Sequence, residues 1–362
     1  MYNRYSPLQQ RQLAAQEYHN TQSTYLLVYA PNRSTALQAT LADQLHRKFR
    51  FVTRLDGELT SSVDGVLLVA EDVECMTTAL MCFARALQAG ADYAVCNAVF
   101  GFNGATALYQ SNAHLAESRC ALVSRALLER CRAAAHDPEN VTELLILAAQ
   151  LCEKPVRIPQ ALLHYERGIC AEDAFSAHSK RAFIMSHVLD MTGAPIVLVS
   201  AVPVLRSMGY EVVVLGPSEG GSLQLFLDAG AAVVTRSACR NASDVWGLAF
   251  CADFVIANTV VMARAVRALS GTEVPTLWWL HDAFAGYPHI AHQIPTELSE
   301  NVKVYSVGYH AANAMHAVRP NFEIRQLVYG LPDYAAENFV RTDLGYNCGR
   351  PLFATVGSFE RR

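Results

Sequence analysis

RAFIMSHVLDMTGAPIVLVSAVPVLRSMGYEVVVLGP, residues 181–217, decides the fold of the carboxy-terminal half. RAFIMSH is a short apolar run of strand length, VLDMTGA carries turn chemistry, and YEVVVLGP is a second β-branched run that stops at Gly216 and Pro217. Between them, PIVLVSAVPVLRSMG has the length of a helix. Pro195 suits the first helical position, N1, where the amide it lacks would have no partner anyway. Pro203 predicts a kink, because it removes an interior hydrogen bond. Two strands joined by a crossover helix predict a parallel pair.

The same alternation continues outward. SLQLFLDAG reads as a short helix closed by Gly230, and AAVVT and ADFVIANT as strands. VVMARAVRAL is a helix, VPTLWWLHD a strand ending in His281 and Asp282, and VKVYSV, GYHAANAMHAV and IRQLVYG a strand, a helix and a strand. One of Trp278 and Trp279 is expected in the core, since alternate strand residues face opposite ways. The pattern predicts a doubly wound parallel sheet, in which ligands lie outside the carboxyl ends of the strands. The residues placed there are His187–Ala194, Gly216–Gly221, Asn258–Thr259, His281–Asp282 and Ser306–Tyr309. The turn at Thr192, Gly193 and Ala194 opens a helix whose first amides favour anions. Gly193 permits close backbone approach, but the turn is not GxGxxG. His281 is positioned to exchange hydrogen bonds with a ligand hydroxyl, with Asp282 orienting it.

Residues 1–22 are a polar, Gln-rich lead-in. TYLLVYAP then predicts a buried strand, and STALQATLADQLHRKF a helix with Ser34 as N-cap and Leu37, Leu41 and Leu45 on one face. RFVTRLDG and DGVLLVAEDVE are strands, TTALMCFARALQAG a helix closed by Gly90, and ADYAVCNAVFGF a strand. Helices are expected near Ser124–Ala135 and Thr142–Cys152, and VRIPQALLHY closes the unit as a strand. This alternation predicts a mainly parallel sheet. ERGICAEDAFSAHSK is polar and aperiodic and places a linker at 168–180 between domains at 23–167 and 181–341. GRPLFATVGSFERR reads as a fresh strand, so residues 342–362 are expected to begin a further domain.

The 362 residues are 52% hydrophobic and 17% charged, a balance that buries cores and excludes extended disorder. The net charge of −4 comes without a basic stripe, which argues against a nucleic-acid partner. No apolar run is long enough for a membrane span, and the amino terminus has no apolar signal region. The ten cysteines contain no CxxC pair, so they read as reduced thiols of a cytoplasmic protein rather than a zinc cluster.

The order SHVLDMTGAPIVLVSAVPVLRSMGYEVVVLGP, WWLHD, VYSVGYHAANAM and LVYGLPD resembles the amino-terminal domain of family 4 glycosyltransferases, over about residues 181–362. Departures are Thr192-Gly193 for the usual Gly-Gly and Tyr329 for the usual Asn in Tyr329-Gly330-Leu331-Pro332-Asp333. The resemblance implies a retaining enzyme of the B-type, two-Rossmann fold, whose amino-terminal domain holds mostly the acceptor. It implies a role for His281 and Asp282 in catalysis, and for Thr192, Gly193, Ala194 and Ser306 in binding donor or acceptor. Gly357 and Arg361 match the start of the motif that neutralises the donor diphosphate. The continuation of that motif is not in the sequence, so the chain is expected to be a fragment lacking transfer activity from this half.

Residues 24–167 resemble family 2 glycosyltransferases, of A-type fold. The metal motif of that family reads Ala70-Glu71-Asp72 here, and its Glu-Asp base pair reads Glu139-Asn140. Glu71 and Asp72, with Glu74 and His164 beside them, are the residues left to hold Mn²⁺ or Mg²⁺. Asn140 cannot serve as a base near neutral pH. The expected fold class is therefore α/β: two Rossmann-like domains, a degenerate A-type domain followed by the amino-terminal half of a B-type transferase. The expected partners are a nucleotide sugar and a glycan or lipid-linked acceptor in bacterial cell-surface polysaccharide synthesis, with peripheral membrane association. The carboxy-terminal half needs no cofactor on this reading. The alternatives are an NAD-type oxidoreductase or epimerase using the Thr192–Pro195 turn, and a non-catalytic scaffold of degenerate transferase domains.

Overall fold

The computed structural model describes residues 21–329, apart from 22, 33–34, 102–104, 112–113, 116–117, 177–178 and 328. The lead-in, Ser34, the element 330–333 and the stretch 342–362 with Gly357 and Arg361 lie outside the described residues.

The amino-terminal half runs β1 (Leu26–Tyr29), α1 (Thr35–Leu41), β2 (Phe49–Val52), β3 (Gly65–Val69), β4 (Glu74–Cys75) and α2 (Ala79–Gln88). It continues through β5 (Tyr93–Phe100), β6 (Thr106–Tyr109), β7 (Cys120–Ser124), α3 (Arg125–Ala134), α4 (Val141–Leu151) and β8 (Pro155–Tyr165). β1 pairs in parallel with β2 and β3, and β5 with β8. The pairs β3–β7, β5–β6, β5–β7 and β4–β8 are antiparallel. The sheet of this half is thus mixed, where a mainly parallel one was expected. The difference lies in TALY and CALVS, two strands too short for periodicity to reveal.

The first helix is also shorter than its apolar spacing predicts. Leu37 and Leu41 are buried, but the helix stops at Leu41. Beyond it, the Gln44 amide donates to the carbonyls of Cys75 (3.2 Å) and Met76 (2.9 Å), and Gln44 Oε1 accepts from Leu80 N–H at 3.1 Å. The buried side chain thereby ties the chain to the start of α2 instead of extending α1. α3 and α4 are capped by Ser124 on Leu127 N–H (3.2 Å) and by Asn140 on Glu143 N–H (3.1 Å).

A short helix, α5 (Ala171–Ala174), stands in the polar linker. The carboxy-terminal half then runs β9 (Lys180–Met185), α6 (Gly193–Ser207), β10 (Tyr210–Gly216), α7 (Leu223–Asp228), β11 (Ala232–Arg236) and α8 (Ser243–Phe250). It ends with β12 (Phe254–Asn258), α9 (Ala263–Leu269), β13 (Thr276–Leu280), β14 (Val302–Ser306), α10 (Tyr309–His316) and β15 (Ile324–Gln326). α8 has no counterpart in the periodicity reading, although Val245, Trp246, Leu248 and Ala249 on it are buried. Pro195 sits third in α6 rather than first, still within the turn whose amides lack partners. α6 continues through Pro203.

The strand order of this half is β15-β14-β13-β12-β9-β10-β11, every neighbour parallel. β11 then pairs antiparallel with β6, through Val233–Tyr109 to Arg236–Thr106, so the described strands of both halves share one sheet. Apolar residues pack on both faces of the parallel part. Phe183, Val255 and Trp278 belong to one core, and Ile184, Ile256 and Trp279 to the other, with Val197 and Leu198 of α6. Both tryptophans are therefore core residues, not one of them. A sheet covered on both sides has no wet face for the second indole to occupy.

Candidate functional site

In the parallel part, the chain leaves β9 toward β10 and β11 on one side, then returns to lay β12 through β15 on the other. The strand order reverses between β9 and β12, and in open parallel sheets such a switch point is where diverging loops make a crevice at the carboxyl edge. Each strand-end segment picked from the sequence lies on this edge. His187 follows β9, Asn258 ends β12 and Thr259 follows it, His281 and Asp282 follow β13, and Ser306 ends β14.

Side-chain alternation sorts these residues. Asn258 shares the face of Ile256 and Trp279, the face covered by α6, and His281 follows β13 with its ring beside Trp279. Asn258 is fully buried, and neither its Nδ2 nor its Oδ1 has a hydrogen-bond partner among the described residues. His281 Nε2 is likewise buried and without a partner there, and its ring lies 5.0 Å from that of Trp279. Each orphaned polar group costs about 1–3 kcal/mol, a penalty that a ligand or water supplying the missing bonds removes.

Thr259 makes the turn that follows β12. It is buried and holds φ at +71°, a region β-branched residues avoid. Three bonds keep it there. Its N–H donates to the Trp279 carbonyl at 2.8 Å, its carbonyl accepts from Trp278 Nε1 at 2.8 Å, and its Oγ1 lies 3.2 Å from His187 Nδ1. Asp282 Oδ2 accepts from Val260 N–H at 2.7 Å, fixing the next residue of the same turn.

Burial sets the charge of both imidazoles. It lowers the His281 pKa from 6.5 to about 4, with repulsion from His187 adding to the shift. It lowers that of His187 as well, against the opposing pull of Asp282 and Asp190. Near neutral pH the crevice therefore presents two uncharged imidazoles, each able to donate from one nitrogen and accept at the other.

The first loop is braced by its neighbour. A Cβ at Gly220 would fall 2.1 Å from the Leu189 carbonyl oxygen, and one at Gly216 would fall 2.3 Å from Leu189 Cγ. Ser222 N–H donates to that same carbonyl at 3.0 Å. Thr192 and Gly193 lie exposed at the start of α6, with Ala194 half-buried behind them. Asp190 Oδ1 accepts both the N–H and the hydroxyl of Thr192. Ser306 is buried, and its carbonyl accepts from Leu327 N–H at 2.9 Å.

In the amino-terminal half, Glu71 and Asp72 follow β3 as expected, but each meets protein partners there. Glu71 pairs with Arg167, and Asp72 accepts from the first amides of α1. Glu139, matched to half of the family 2 base pair, accepts from Leu55 N–H at 2.7 Å. Its partner Asn140 serves as the cap of α4. Among the described residues no group of three or more His, Cys, Asp or Glu is arranged to hold a metal, and no helix is long and apolar enough to cross a membrane.

The strand-end rule found the positions, while their condition lay beyond it. Nothing in ANT or LHD tells that Asn258 and His281 lose their partners on folding, or that Thr259 turns into positive φ. The His187–Thr259 contact joins residues 72 apart. No curated protein matches the chain. Residues 178–314, which run from β9 into α10 and include His187, Asn258, Thr259 and His281, match the family described as Glycosyl-transferase family 4.

Proposed function

We propose that the carboxy-terminal half is the acceptor-side domain of a B-type glycosyltransferase, and that the crevice at the β9–β12 reversal binds sugar hydroxyls. The observation that carries this reading is the pair of buried, partnerless groups, the Asn258 amide and His281 Nε2, inside the segment that matches the family. A sugar presents hydroxyls that donate and accept at once, as do a primary amide and a neutral imidazole. Neutral His281 contacts the acceptor hydroxyl. His187 stands beside it, oriented through Thr259. Asp282 acts on the turn, holding Val260 so that Thr259 keeps its place. Gly193 and Ala194 offer amides to an anionic group such as a donor diphosphate, Thr192 is held beside them by Asp190, and Ser306 bounds the far side. The substrates are a nucleotide sugar and a glycan or lipid-linked acceptor of cell-surface polysaccharide synthesis.

The dinucleotide alternative lacks support at two points. The β9–α6 turn has no GxGxxG, and β10 ends at Gly216-Pro217 without an acid for a ribose. The test uses selectively labelled histidine and NMR. UDP-glucose, GDP-mannose and methyl glycosides are titrated in turn, with NAD⁺ as the contrasting probe. The His281 and His187 resonances are expected to move with at least one sugar ligand, and Asn258→Ala to weaken that response about tenfold or more. Shifts produced by NAD⁺ and by no sugar would overturn the transferase reading.

A further inference from the structure

The resemblance of residues 24–167 to family 2 transferases carries the expectation of a divalent metal on Glu71 and Asp72. The side chains gathered at that edge do not fit one. Glu71 Oε1 accepts from Arg167 Nη2 at 2.6 Å, and Arg119 Nη1 stands 3.8 Å from Glu71 Oε2. Arg167 is also bidentate to Asp173, with Nη1–Oδ2 at 2.6 Å and Nη2–Oδ1 at 2.7 Å. Its guanidinium lies over the rings of Phe100 and Tyr165, 5.2 and 5.4 Å from their centroids. Asp72 Oδ1 accepts from Ala36 N–H (3.2 Å) and Leu37 N–H (3.4 Å), and Glu74 Oε2 pairs with His164 Nδ1 at 2.8 Å.

The chemistry of this arrangement opposes a metal. A divalent ion needs several carboxylate oxygens turned toward it. Glu71 is already neutralised by a guanidinium held in place on three sides, and a second cation there would meet Coulomb repulsion from Arg167 and Arg119. Asp72 would have to abandon the α1 amides. We infer that Arg167 stands where the family places a metal: a guanidinium clasp closes the carboxyl edge of β3, and the amino-terminal half is a structural partner without metal-dependent transfer chemistry.

The clasp has a mechanical role that a metal would not supply. It joins the end of β3 to α5, and the residues after α5 reach into the other half. Phe175 packs on Phe183 of β9 at 6.5 Å, and Ser176 N–H donates to Glu211 of β10 at 2.7 Å. The inference is independent of the reading of His281, and its test leaves that reading untouched.

Mn²⁺ is titrated into the whole chain while the EPR signal of the free ion is followed. The expected signal matches that of buffer alone. Stoichiometric uptake that Glu71→Gln or Asp72→Asn removes would overturn the inference. Arg167→Met is expected to lower Tm by several degrees, because it strands Asp173 as a buried, unpaired carboxylate. Adding Asp173→Asn should then restore part of the loss, whereas strictly additive losses would refute the clasp. If Arg167→Met does not fold, Arg167→Lys takes its place in the cycle. A lysine is a point charge and cannot bridge both carboxylates as the planar fork does, so an unchanged Tm in that variant counts against the inference.

Discussion

His281 and Thr259 show how much of the site depends on single residues held against their own preference. The folded chain keeps His281 neutral down to about pH 4, while the unfolded chain takes up its proton near pH 6.5. Its contribution to stability is therefore complete above pH 6.5 and is lost as pH falls toward 4, by about 2 kcal/mol at pH 5. Urea unfolding at pH 7 and pH 5 should show this difference, and His281→Asn should shrink it. Thr259 is tested by two variants. Thr259→Gly relieves the positive φ and forfeits the bond to His187, so its net change is expected within about 1 kcal/mol. Thr259→Val keeps the strain and also loses the bond, costing about 1–2 kcal/mol. Denaturant midpoints should rank the glycine variant above the valine one. The reverse order would mean that the φ of Thr259 carries no strain.

At the scale of elements, the loops around the crevice are set by close backbone approach. Gly220 has no room for a side chain against Leu189, so Gly220→Ala must displace one loop, at about 1–3 kcal/mol. A Cβ at Gly193 would meet nothing within 4 Å, and Gly193→Ala should leave Tm within a degree or two of the parent while weakening sugar binding in the histidine NMR assay. Thermal melts of the pair separate a glycine needed for packing from one that leaves space for a ligand. Helices α2, α3, α4, α6 and α10 were legible because each carries an apolar stripe or a recognisable cap. α1 is shorter than its apolar spacing suggests because the tie that ends it, Gln44 to Cys75 and Met76, spans about thirty residues. β6 and β7 are not legible in the sequence because four or five residues hold too little alternation to stand out from their surroundings.

For the molecule as a whole, the antiparallel pair β11–β6 joins the two halves edge to edge. The Arg167 clasp ties the linker helix α5 to the end of β3, and Ser176 just beyond α5 bonds to Glu211 of β10. Hydrogen-bonded continuity of this kind predicts that the halves unfold together. All three tryptophans, Trp246, Trp278 and Trp279, lie in the carboxy-terminal half, so their fluorescence reports on it alone, whereas far-UV circular dichroism reports on both. The two signals are expected to give coincident urea transitions, and two separated midpoints would show halves that fold independently.

By itself the sequence determined the strand–helix alternation of the carboxy-terminal half, its α/β class and which residues stand at the ends of its strands. Those properties follow from local periodicity, turn residues and the chirality of parallel crossovers, which act over a few residues at a time. Only the tertiary structure decided the mixed pairing of the amino-terminal sheet, the shared edge at β11–β6, the engagement of Glu71 by Arg167, and the burial that leaves Asn258 and His281 without partners. Each of these joins residues far apart in the chain, and their energies depend on desolvation and on which charges meet, quantities that exist only once the chain has closed on itself.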